Sequence, residues 1–265
     1  MAAPNHEALL AAVERSPQAA AAHDRVAWVG LFTGDGRIED PVGSRPHRGR
    51  VEIEDFYHTF IGPREITFHR DLDIVFGTVV LRDLELEVSM GSTVTMYIPA
   101  FLRYDLRETN GAWQIARLRA YWELPAMMLR FLRSGPGATW PALQLTRDLL
   151  SNQGLAGTAG FLRGFRRPGG RHKKLLDTFL RAVAGGAISA AEDTLSPSAA
   201  ITLGDDQTLD LAELAVELGG ARRLKMIGAG AVLAISLDSR HGRGIMFAEL
   251  ARHGKAINGI RYFPA

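Results

Sequence analysis

The sequence predicts an α+β fold built twice: two tandem units, residues 1–123 and 175–265, joined by a helical basic linker over 124–174. Three observations predict it. Apolar residues at helical spacing come first, over 5–32 and 50–60, and strand-like runs follow from 66 to 123. The same succession, helices and then strands punctuated by glycine, returns over 175–265. The stretch between the two is glycine-rich and strongly basic.

A chain of 265 residues, 46% hydrophobic and 23% charged, is long enough for two medium domains. The formal net charge of +2 is too small to argue for nucleic acid, and no nucleic-acid partner is expected. There is no cysteine, hence neither disulfide nor thiolate chemistry, which fits a reducing compartment. Met1 to Glu7 lacks the pattern of a secretory leader, and no run approaches the roughly 20 apolar residues of a membrane span. The expected location is cytoplasmic.

In the first unit, Ala8, Leu9, Ala12 and Val13 recur at helical spacing behind Asn5, a good cap. Ser16-Pro17 reads as a stop and restart, with a second helix to about Phe32. Gly34-Asp35-Gly36 reads as a turn and Arg37 to Asp40 as a short strand. Val51, Ile53, Phe56, Tyr57 and Phe60 mark a helix that Gly62-Pro63 ends. Strands follow over 66–74, 78–81, 84–90, 93–106 and 113–123, with Thr109-Asn110-Gly111 turning the last pair.

In the linker, 124–132 and 140–150 read as helices, followed by Gly154, Gly157, Gly160 and Gly164. Its arginines and lysines, from Arg130 to Lys174, face a single acid, Asp148. The simpler reading is a connector with a solvated basic edge; the functional one is weak contact with an anionic membrane surface or partner. The second unit reads as helices over 175–184, 187–195 and 209–219, and strands over 200–203, 223–227, 231–238, 244–252 and 256–263.

Ile38 to Ser44, Ile-Glu-Asp-Pro-Val-Gly-Ser, is the chemically suggestive stretch. Asp40 precedes a proline, which pushes it into extended geometry, and Gly43-Ser44 supplies a turn. Phe32 upstream and Phe56-Tyr57 downstream can wall the carboxylate with apolar surface. A carboxylate so placed has its pKa raised and can act as a general base. Counting from helix and turn in the second unit sets Thr202-Leu203-Gly204 against Glu39-Asp40-Pro41, so the second copy lacks the acid. Asp205, Asp206 and Asp210 nearby read as an exposed turn rather than a second site.

The run from Ala27 to Ser44, with His47-Arg48-Gly49-Arg50, Ile53-Glu54-Asp55-Phe56-Tyr57 and Arg119-Ala120-Tyr121-Trp122-Glu123, resembles the ketosteroid isomerase branch of the NTF2-like (SnoaL-like) superfamily. The resemblance covers about residues 8–123 and implies a curved antiparallel sheet wrapped on helices into a cone whose mouth is the ligand pocket. The second unit reads as a divergent copy, and the pair as an internal pseudo-dimer that can dimerise further.

By resemblance, Asp40 is the base that moves a proton beside a ketone. Phe32, Phe56, Tyr57, Leu118 and Trp122 fall at pocket positions suited to a flat polycyclic ligand. The family stabilises the oxyanion with a tyrosine and a protonated acid. Here Ser16 and Ala100 stand at those positions, so both donors are missing. Tyr57, Tyr97 and Ser16 are candidate replacements, and alternation sets Tyr97 on the face opposite Ala100.

A non-catalytic binding or scaffold module is the rival reading. Epoxide opening is another, with Glu65 or Glu123 as partner acid. His69 shares a strand with Phe68 and Arg70 but points to the other face. No histidine and carboxylate spacing suits a metal, and no phosphate-binding glycine motif follows a strand, so neither metal nor other cofactor is expected.

Overall fold

A computed structural model describes residues 5–90, 94–123, 168–251 and 256–265. Backbone contacts divide the chain into two units, Met1–Phe165 and Arg166–Ala265.

The first unit opens with α1 (His6–Ala21), capped by Asn5, whose side chain accepts from the Glu7 amide at 3.0 Å. The expected break at Ser16-Pro17 is absent: Pro17 lies inside α1. Proline removes one backbone hydrogen bond. Leu9, Val13, Ser16 and Ala20 nevertheless form one continuous buried stripe, which holds the helix through it. The second helix, α2 (Arg25–Gly30), is short and is capped by Asp24, which accepts from the Ala27 amide at 2.8 Å.

Phe32 begins a strand rather than ending a helix. β1 (Phe32–Glu39) absorbs the expected turn at Gly34–Gly36 as an irregularity in its pairing. β2 (His47–Arg48), α3 (Gly49–Phe56) and a wider π turn over Tyr57–Ile61 follow. Then come β3 (Glu65–Phe76), β4 (Val79–Met90), β5 (Val94–Thr109) and β6 (Ala112–Tyr121). The sequence reads a gap in β4 at Arg82-Asp83, but the strand is continuous. The guanidinium of Arg82 has acidic partners inside the fold, so the charge does not expel the backbone.

The six strands run in the order β2-β1-β6-β5-β4-β3. β1 pairs parallel with β6 and the other neighbours pair antiparallel. Alternation gives the sheet an inner face packed against the helices, carrying Ile38, Val80, Leu84, Ala100, Leu102, Tyr104, Leu118 and Ala120.

The second unit repeats the plan. α4 (Gly170–Ala184), α5 (Ile188–Glu192), β7 (Leu195–Leu203), β8 (Gln207–Thr208) and α6 (Leu211–Glu217) precede β9 (Arg222–Ala229), β10 (Val232–Ser239), β11 (Gly242–Leu250) and β12 (Ile257–Pro264). The helix expected over 187–195 is shorter, since Leu195 already pairs with Ile257 in the sheet. The strand order, β8-β7-β12-β11-β10-β9, is that of the first sheet, again with one parallel pair. Both units are thus α+β, six mixed strands with helices. The linker helices expected over 124–132 and 140–150 lie outside the described residues. None of the described helices is long and apolar enough to cross a membrane.

Candidate active site

Asp40 follows the end of β1. Ile38 is paired with Leu118 on the inner face, and Asp40 falls on that face two residues later. A compact turn fixes it. The Asp40-Pro41 peptide is cis, Glu39 accepts from the Gly43 amide at 2.9 Å, and the Ser44 amide donates to the Pro41 carbonyl at 3.0 Å. Gly43 has φ 98°, a conformation glycine adopts freely. The Val42 amide donates to the Ala120 carbonyl at 2.8 Å and ties the turn to β6.

Trp122, two residues beyond Ala120, turns its ring to the same side, and its Nε1 donates to Asp40 Oδ1 at 2.5 Å. The Asp40 residue keeps some solvent exposure, yet its carboxyl is desolvated: burial pushes it up to about 6, opposed by the Trp122 hydrogen bond. Leu118 and Ala120 lie beside it on β6. Phe32 and Phe56 belong to the same core and pack on Trp28, with ring centroids 5.0 and 6.1 Å away. Ala100 is buried on the inner face of β5.

Tyr57 belongs to the same buried core, where its ring packs on Trp28 at 5.5 Å, Asp24 and Arg25 are the charges that act on it, and among the described residues its buried hydroxyl has no hydrogen-bond partner. Tyr97 lies on the outer face and is 49% exposed. Glu65 is turned outward and pairs with His23 at 3.0 Å, with its side chain 74% exposed. His69 pairs with Glu87 at 2.8 Å on the exposed side of the sheet. Glu123 is half-buried just past β6. In the second unit Asp210 caps α6, accepting from the Glu213 amide at 2.7 Å, and Asp205 lies 3.8 Å from Arg261. Among the described residues no cluster of histidine and acidic side chains could hold a metal ion.

Tyr104 is the residue that sequence reasoning missed. It lies on β5 four residues past Ala100, so alternation alone sets both on one face. It is buried, its side chain hydrogen-bonds with Ser16 of α1, and both Arg82 and Asp40 act on it electrostatically. Arg82, on the inner face of β4, is 0% exposed. Its Nη2 donates to Glu14 Oε2 at 2.7 Å and its Nε lies 3.2 Å from Asp73 Oδ1.

The nuclear transport factor 2 (NTF2) domain matches residues 8–130. A steroid Delta-isomerase of Nocardioides simplex is 30% identical over 112 residues, which is 42% of this chain and 87% of that protein. Among solved structures, a Delta 5-3-ketosteroid isomerase from Mycobacterium sp. is 26% identical, covering 45% of this chain and 95% of that one, with a TM-score of 0.41. An LEH-like epoxide hydrolase of M. tuberculosis is 17% identical, covering 54% and 98%, also with a TM-score of 0.41.

Proposed function

Because the chain belongs to the NTF2-like superfamily through its first unit, we propose that this unit takes a steroid-like or polycyclic ketone and moves a proton on it, with Asp40 as general base. The observation that carries the reading is the state of Asp40. It is a carboxyl raised to about 6 beside an apolar inner face, held by one indole hydrogen bond. Such a base is largely ionised at neutral pH and still basic enough to take a carbon-bound proton.

In the reaction, Asp40 removes a proton from the carbon between the ketone and an isolated double bond, leaving a dienolate. The carboxylic acid so formed returns the proton to the far carbon, and the double bond ends in conjugation. Nothing is consumed and no cofactor takes part. In this reading Phe32, Phe56, Leu118 and Trp122, which belong to or pack on one apolar core, supply the wall against the ligand, and the small side chain of Ala100 faces it from β5. Holding the ligand in one pose against the base supplies orientation.

The test is a spectrophotometric assay with a Δ5-3-ketosteroid, following the conjugated enone, for wild type and Asp40→Asn side by side. Turnover that the substitution abolishes supports the reading, and turnover unchanged by it overturns the role of Asp40. A non-catalytic binding module is favoured by a specific observation, the absence of both family oxyanion donors at Ser16 and Ala100. It predicts that Asp40→Asn keeps or tightens steroid binding while wild type turns nothing over. Epoxide opening has less support, because Glu65 is exposed and ion-paired away from Asp40.

A further inference from the structure

Proton abstraction beside a ketone leaves negative charge on oxygen, and losing one donor to that oxygen costs about a hundredfold to a thousandfold in rate. The positions where the family keeps its donors hold Ser16 and Ala100. We propose that Tyr104 replaces them: its hydroxyl is the donor to the oxyanion, Ser16 orients it, and the buried guanidinium of Arg82 supplies positive charge behind it. The inference rests on the proton-transfer reading of Asp40.

Strand register places these groups. The Val42 amide meets the Ala120 carbonyl, Ala120 pairs with Leu102, and Leu102 pairs with Arg82. Asp40 and Arg82 therefore occupy one level of the inner face, three strand spacings apart, about 14 Å along the sheet. Tyr104 lies in the adjoining row, between Leu118 and Val80, and both of those charged groups act on it. It is 1% exposed, so its hydroxyl works free of competing water. Burial holds the phenol at about 12, so it keeps its proton at working pH and can donate it. Ser16 hydrogen-bonds with Tyr104; a hydroxyl both donates and accepts, so Ser16 can donate to the phenolic oxygen while the phenol donates to a ligand.

Arg82 is more than a structural ion pair. With Arg70, Glu14 and Asp73 it forms a charge-balanced cluster, yet among the described residues its buried Nη1 has no hydrogen-bond partner. A buried donor left unpaired is costly to the fold. The second unit shows that the fold does not require it. By register Leu203 corresponds to Asp40, Ala248 to Tyr104, Ile235 to Arg82 and Met226 to Asp73. The same sheet is built without any of the four, so these groups are present together or replaced together.

The experiment uses the full-length protein, the Δ5-3-ketosteroid assay and the binding of two steroids read by tryptophan fluorescence. One steroid is estradiol, whose phenol mimics the enolate oxygen; the other is its analogue lacking that hydroxyl. Tyr104→Phe, which removes one oxygen, is expected to lower kcat about a hundredfold or more and to keep the pH midpoint set by Asp40. It is also expected to lose affinity for estradiol alone. Ser16→Ala and Arg82→Met each lower kcat about tenfold at unchanged KM, the worth of about one hydrogen bond, and Ser16→Thr and Arg82→Lys restore most of it. If wild type turns over and Tyr104→Phe matches it in kcat and in both affinities, the inference is overturned while the Asp40 reading stands. If wild type never turns over yet Tyr104→Phe loses the preference for the phenol, the donor is supported and the isomerase reading falls. If neither steroid binds, both fall.

Discussion

Trp122 Nε1 donates to Asp40 Oδ1 at 2.5 Å, and among the described residues this is the only hydrogen bond the carboxylate receives. Two opposed effects therefore set its basicity, with burial raising the pKa and the indole lowering it. Trp122→Phe keeps the aromatic wall and removes the lowering influence. A hydrogen bond to a charged group is worth about 1.5 kcal/mol, close to one pH unit. The acid limb of the kcat/KM profile, near pH 6 in the wild type, is expected to move up by about one unit. Activity is then nearly unchanged at pH 8 and falls about fivefold at pH 6. A profile with its midpoint unmoved would show that the indole does not tune the base.

The same carboxyl makes folding stability depend on pH. Its pKa in the fold, about 6, stands above the ordinary 3.8, so the folded state holds the proton more tightly than the unfolded chain. The penalty on the ionised form is absent below pH 4, grows as pH rises from 4 to 6, and is complete above 6. It reaches up to about 3 kcal/mol, less whatever partial solvent exposure returns. Asp40→Asn stays neutral and still accepts from Trp122. Urea unfolding is expected to show it more stable than wild type at pH 8, with the two alike at pH 4. Equal stability at both values would mean the carboxyl is not desolvated.

The architecture is legible in the sequence where a periodic pattern spans a whole element. The strands after Ile66 and the repeated helix-then-strand order are of this kind. Local signals mislead where tertiary packing outweighs them. Pro17 reads as a boundary, but the buried stripe of α1 carries the helix past it. Arg82-Asp83 reads as a gap, but Arg82 finds Glu14 and Asp73 inside. Asp40 and Trp122 are recognisable as a pair of positions, though their hydrogen bond is not. Tyr104 shares a face with Ala100 by simple alternation. That it meets Ser16 depends on where α1 crosses the sheet, and no spacing within either element records that.

A row of like charges crosses the outer face. Arg37 lies directly opposite Arg48 on one side and Arg117 on the other. Burial and then these neighbours depress its pKa. Like charges opposed across strands are destabilising by about 0.2–1 kcal/mol per pair. Arg37→Gln is therefore expected to raise Tm at low ionic strength, with the gain shrinking toward zero near 1 M salt as screening removes the repulsion. A lower Tm for the variant at every salt concentration would mean that packing of the arginine stem outweighs its charge.

The second unit offers a test of what the first needs besides its acid. Leu203 stands where Asp40 stands, and the Gly204 amide donates to the Tyr262 carbonyl at 2.7 Å as Val42 donates to Ala120. The match in backbone stops at the side chains. Tyr262 occupies the place of Ala120, and its ring lies where a Cβ on Gly244 would come within 2.5 Å of it. Pro264 takes the position of Trp122 and has no N–H to donate. A carboxylate put at 203 meets a filled interior and no indole. In an Asp40→Asn background, Leu203→Asp is expected to restore no turnover and to destabilise the protein by about 1–3 kcal/mol, through loss of apolar burial and desolvation of the acid. Recovery of turnover would show that the tyrosine ring yields to a ligand and that the acid alone separates the two units.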